Sequence, residues 1–113
     1  MEQDLYPVAT KEFSQKRREL APETYSAFIA FSQQVFTDGA LTGKMKDLIA
    51  IAVAHTTQCP YCIRAHTKRA LAKGATEQEI MEAIWVAAEM RAGAATAHST
   101  LAIDEMLKAK PAE

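Results

Sequence analysis

The sequence predicts an all-α protein, on three grounds. Glycine and proline are scarce, at four each in 113 residues. The helix-favouring residues Ala, Leu, Glu, Lys and Met are plentiful. Apolar residues recur at intervals of three and four, and no strand-like alternation of any length interrupts them.

Each element has its own signal. Residues 1–9 read as an extended arm ending near Tyr6-Pro7, and a polar helix is expected over about 10–20. Pro22 suits a first helical position. Tyr25, Phe28, Ile29, Ser32, Val35 and Phe36 then share a face until Asp38-Gly39 ends the helix. Thr42 is a suitable cap for a third helix, whose expected apolar set is Met45, Leu48, Ile49, Ala52 and Val53. The segment from His55 to Pro60 breaks that pattern, because Pro60 disfavours helix at the residue before it and fits the start of a new one. The fourth helix runs from Pro60 to about Lys73 and stops at Gly74. Thr76-Glu77-Gln78-Glu79 is a capping box that opens a long helix reaching about Lys108. Around Ile84-Trp85-Val86-Ala87-Ala88 that helix is apolar on nearly every side, and Ala92–Ala97 is a run of small residues. A helix apolar all round needs cover on more than one side, so a homo-oligomer is expected. Trp85 and the five methionines read as core.

A chain of this length forms one domain, taken as residues 1–113. It is 49% hydrophobic and 24% charged, with a net charge of -1. That balance offers no basic stripe for a nucleic-acid partner, and Lys16-Arg17-Arg18 reads as a solvated helix face. No apolar run approaches the ~20 residues of a membrane helix, and the acidic start lacks a signal-peptide core. A cytoplasmic location is therefore expected. There a close cysteine pair serves redox chemistry or metal binding more readily than structural stapling.

Cys59-Pro60-Tyr61-Cys62 is such a pair, placed at a helix start and followed by His66. At 100° per residue, side chains 59, 62 and 66 fall within roughly 60° of one another. The partial positive charge of a helix N-terminus favours the reactive thiolate. A second cysteine three residues away can capture a sulfenic acid or mixed disulfide. His66 lies one turn beyond Cys62, where it can act as base or proton relay. The same residues admit other readings. A zinc site would have to recruit His55, Asp47 or a neighbouring subunit to complete its ligands, and two inert buried cysteines are a further alternative. His55 and His98 read as packing residues, with His55 and Tyr61 as possible auxiliaries to the motif. If residues 42–56 and 60–73 form an antiparallel hairpin, Asp47 and His66 come level across it. Asp47 could then orient the imidazole, or it could pair with Lys44 or face solvent.

The stretch Gly39 to His66, with the Gly74 stop, the Thr76 capping box and the small-residue helix, resembles the carboxymuconolactone decarboxylase / alkylhydroperoxidase D (AhpD)-like family over about residues 25–105. That resemblance implies an AhpD-like helical bundle assembled as a trimer or hexamer. It also implies thiol-dependent peroxidase or disulfide-reductase activity without cofactor or metal. In the family scheme Cys62 would react with a hydroperoxide, Cys59 would close the disulfide, and His66 would relay protons through a water. A dithiol or lipoyl-type reductant would reopen the disulfide. Two positions depart from the family pattern. Asp47 stands where the family has glutamate, and the side chain, one methylene shorter, weakens a direct relay or requires an extra water. Tyr61 stands where AhpD proper has histidine. A lactone-decarboxylating lyase is the alternative from the same superfamily, with Arg64, Lys68, Arg69 and Arg91 as the nearby cations. A non-catalytic redox-sensing or metal-binding module is the third.

Overall fold

In the computed structural model, which describes residues 5–109, five α-helices follow one another and no strand occurs among the described residues. They are α1 (Lys11–Leu20), α2 (Pro22–Phe36), α3 (Gly43–Thr57), α4 (Pro60–Ala72) and α5 (Glu77–Lys108). The expected arm falls partly outside the described residues, at 1–4, and residues 5–10 carry no helix. The chain divides into two compact units, one up to Gly43 and one from Lys44 onward.

In the first unit Pro22 begins α2 as its ring geometry suits. Tyr25, Ile29, Ser32 and Phe36 are half-buried, whereas Phe28 and Val35 of the expected stripe are exposed. The basic run of α1 is solvated, and the Arg18 guanidinium lies 4.9 Å from the centre of the Tyr25 ring.

In the second unit a small core of Leu48, Ile51, Ala70, Ala75 and Ile80 joins α3, α4 and the start of α5, with Ala83 and Ile84 packed against it. The buried face of α3 is Asp47, Leu48, Ile51 and Ala54. This corrects the expected set. Met45, Ile49 and Val53 are exposed, and only Leu48 is shared with the true core. The helix is apolar on two faces, so periodicity alone could not choose between them. Trp85 and Met45, Met81, Met90 and Met106 are likewise exposed rather than core, because a unit this small buries little more than the first turns of α5.

Two helix ends position the site. At the end of α4, Gly74 adopts φ +90°, its N–H bonds Leu71 O, and Ala75 N–H bonds Ala70 O at 2.9 Å. This is a Schellman closure. At the end of α3, Gln58 takes φ +58° and Cys59 N–H bonds Ala54 O at 3.1 Å, the corresponding six-residue closure without a glycine. The α3 helix therefore runs on through His55 to Thr57, past the point where the apolar pattern breaks. Pro60 restrains only Cys59, and the left-handed residue makes the turn. Gln58→Gly should relieve the left-handed penalty at the cost of unfolded-state entropy, a net gain of about 0.5 kcal/mol. Chemical denaturation measures it, and a loss would show that the Gln58 side chain contributes more than its backbone strain costs.

Candidate redox site

The α4 helix begins at the pair of sulfurs. Cys59 is the N-cap, in extended conformation, and Pro60 occupies the first turn. The Cys59 sulfur accepts the backbone N–H of Cys62 at 3.2 Å, a role usually held by an oxygen. Cys59 and Cys62 are joined as a disulfide, their α-carbons 5.3 Å apart. Both residues are half-buried, outside the buried core. Helix geometry explains the pairing. Residues three apart in the first turn stack on one side, and an N-cap sulfur leans over that same turn.

Facing α4 is the one fully buried charged side chain among the described residues, Asp47. Its Oδ1 accepts a hydrogen bond from His66 Nδ1 at 2.8 Å, and its Oδ2 accepts one from Lys73 Nζ at 2.6 Å. Residue 47 near the start of α3 thus meets residues 66 and 73 toward the end of α4, while Ala54 meets Cys59 at the turn. The two helices form an antiparallel hairpin that carries the disulfide at its bend. Burial pushes the Asp47 carboxyl up, but hydrogen bonds from Lys73 and His66, together with their charges, outweigh it. The carboxyl is held below the ordinary carboxylate range. Because Nδ1 donates to Asp47, Nε2 is the basic nitrogen of neutral His66.

The direct 2.8 Å contact shows that the aspartate reaches the imidazole without a bridging water, despite being shorter than the glutamate of the family pattern. Lys44, the competing partner, bonds Glu79 instead at 3.1 Å. Glu79 is also the capping-box carboxylate that accepts Thr76 N–H. That hydrogen bond, followed by the one from Lys44, holds Glu79 below its ordinary range. Lys73 escaped sequence reasoning, which used it only as a helix end. The available signal was its spacing: it follows His66 by seven residues, two turns along the same face.

His55 turns back on its own helix, with Nδ1 donating to Ile51 O at 2.7 Å. Tyr61 is exposed between the two cysteines. Arg64, Lys68 and Arg69 are exposed on α4, and Arg91 donates to Thr56 O at 3.0 Å. Among the described residues, no three His, Cys, Asp or Glu side chains are grouped as metal ligands. What the hairpin brings together is a cysteine pair and an imidazole oriented by a buried carboxylate.

Residues 22–105 match the carboxymuconolactone decarboxylase family. The chain belongs to that family. Protein 4 of the cox locus of Paracoccus denitrificans is 64% identical over 77 residues, which cover 68% of this chain and 69% of that protein. A Cupriavidus necator protein is 32% identical over 82 residues, 73% of each chain. Among solved structures, one from Methanobacterium thermoautotrophicum superposes with a TM-score of 0.69 at 38% identity, covering 74% of this chain and 93% of that one. A carboxymuconolactone decarboxylase family protein from Legionella pneumophila gives 0.66 at 37% identity, over 72% and 75%. A family member from Thermotoga maritima, whose description proposes a part in antioxidative response, gives 0.55 at 30%, over 67% and 70%. The carboxymuconolactone decarboxylase family fold is shared with these solved structures, and in this chain the CxxC disulfide lies at the head of α4.

Proposed function

We propose that this family member is a thiol-dependent peroxidase or disulfide reductase of the AhpD type, working through Cys59, Cys62, His66 and Asp47 without a cofactor. One observation carries the reading. The disulfide sits at a helix N-terminus, one turn from an imidazole that a buried carboxylate orients.

The proposed division of labour is that of the AhpD-like scheme. His66, aligned by Asp47, takes the Cys62 proton. The Cys62 thiolate attacks the distal oxygen of a hydroperoxide, the O–O bond breaks, and the leaving alkoxide receives the proton. Cys62 is then a sulfenic acid. Cys59, whose sulfur receives the Cys62 N–H and whose charge the helix start favours, attacks it and expels water as the disulfide closes. A dithiol or lipoyl-type reductant returns two electrons and two protons through thiol-disulfide exchange. The antioxidative role suggested for the Thermotoga maritima relative is of the same kind.

The proposed working form is a homo-oligomer, a trimer or hexamer, in the cytoplasm. Trp85, Val86, Met90, Leu101, Met106 and Leu107 leave α5 apolar and exposed in the single chain, more than a solitary subunit would carry without a partner. No helix among the described residues is long and apolar enough to cross a membrane.

Native mass spectrometry of the reduced protein, before and after one equivalent of hydrogen peroxide, tests the chemistry and the assembly together. Loss of two hydrogens per subunit, in a species of three or six chains, is the expected result. Persistence of the free thiols would overturn the redox assignment, and a monomer would overturn the assembly.

A further inference from the structure

Lys73 lies outside the Cys-x-x-Cys-x-x-x-His pattern, yet its ammonium makes the shorter of the two hydrogen bonds to the buried carboxylate, 2.6 Å against 2.8 Å for His66. We infer that Lys73 is a positioning residue that neutralises Asp47 from its second oxygen, so that His66 can remain an uncharged base. The inference rests on the proposed thiol chemistry for its kinetic consequence but not for its electrostatic one.

The argument starts from charge. A carboxylate removed from water needs a compensating cation close by. Asp47 has two groups within hydrogen-bond reach that can supply one, His66 on Oδ1 and Lys73 on Oδ2. If the imidazole had to supply the charge it would stay protonated on both nitrogens, and an imidazolium accepts no proton from a thiol. Lys73 relieves it of that task. The ammonium reaches in from the C-cap of α4 with its side chain 39% exposed, so its own desolvation is slight.

The other charged groups on the packed elements do not substitute for it. On α3, Lys44 is engaged with Glu79 from α5, and His55 donates to its own helix. From α5, Arg91 serves Thr56 O. On α4, Arg64, Lys68 and Arg69 are exposed, and Cys59 and Cys62 carry charge only when reduced.

The test compares wild type, Lys73→Met and Lys73→Arg in two measurements on the reduced full-length protein. The first is NMR titration of the His66 ring, which requires no turnover. With the second cation gone, the imidazolium is favoured and the midpoint is expected to rise by about one pH unit or more in Lys73→Met. Lys73→Arg, which keeps the charge, should return it toward wild type. The second is the rate of disulfide formation with hydrogen peroxide across pH 5–9. Its acidic limb should move to higher pH by the same amount, a roughly tenfold slowing below the limb, with the alkaline plateau retained. An unchanged His66 midpoint in Lys73→Met overturns the inference, as does an equal shift in Lys73→Arg. A wild-type protein inert to peroxide but showing the expected His66 shift would count against the peroxidase reading alone and leave the role of Lys73 standing.

Discussion

Cys62→Ser is expected to abolish peroxide consumption altogether, whereas Cys59→Ser should permit a single reaction and then stop. A serine hydroxyl beside His66 is too weak an acid to supply the nucleophile that a thiol supplies readily. Cys59→Ser spares the first step and removes only the group that resolves it, leaving Cys62 as a sulfenic acid or mixed disulfide. The pair of variants is informative because the fold should tolerate both. Cys59 caps α4 by accepting Cys62 N–H, and serine is a preferred residue for that position. Stopped-flow peroxide measurements, with a sulfenic-acid trap such as dimedone, separate the outcomes. Equal residual activity in the two variants would refute the assignment of roles, and full activity in both would remove the disulfide from the mechanism.

The second large effect is at Asp47. Asp47→Ala strips His66 and Lys73 of a shared partner inside a fully buried position. An expected loss of about 2 kcal/mol in stability follows from two charge-assisted hydrogen bonds, discounted because Lys73 can turn to solvent. Peroxide-driven oxidation should fall by roughly 10²-fold or more, the usual contribution of a positioned base. Asp47→Asn keeps the volume and removes the charge, which isolates the electrostatic part. The sign of its pH dependence follows from the folded carboxyl lying below its ordinary range. A depressed carboxyl adds stability that is complete above the unfolded value and disappears as pH falls through the folded one. Wild type should therefore lose stability as pH falls through and below the ordinary carboxylate range, and Asp47→Asn should show a flatter curve there. Parallel curves for the two proteins would mean that the Asp47 charge is not coupled to folding.

The helices themselves were legible in the residue order. Pro22, Pro60, Gly74 and the Thr76–Glu79 box are local devices whose effect does not depend on distant contacts, and the observed elements begin and end beside them. The Cys-x-x-Cys-x-x-x-His motif was legible for the same reason. Three spaced residues on one helix, Cys59, Cys62 and His66, are related by helix geometry alone. Asp47 required one further step, counting residues back and forward from the bend of a hairpin, and the observed contact with His66 lies where that count places it.

Other features were decided only when the helices packed. Met45, Ile49 and Val53 are as apolar as Leu48 and Ile51, so the sequence of α3 was compatible with either face being buried. Contact with Ala70, Ala75 and Ile80 selected the one that carries Asp47. The same packing drew Lys44 to Glu79 and gave Asp47 a lysine 26 residues away in its place. By itself, then, the sequence determined the all-α fold, the helix boundaries other than the end of α3, and the dithiol motif, because caps, turns and i to i+4 spacing act within a few residues. Tertiary structure decided which carboxylate is buried and which cation answers it. A buried charge is matched across space, and no local rule of the chain selects the partner.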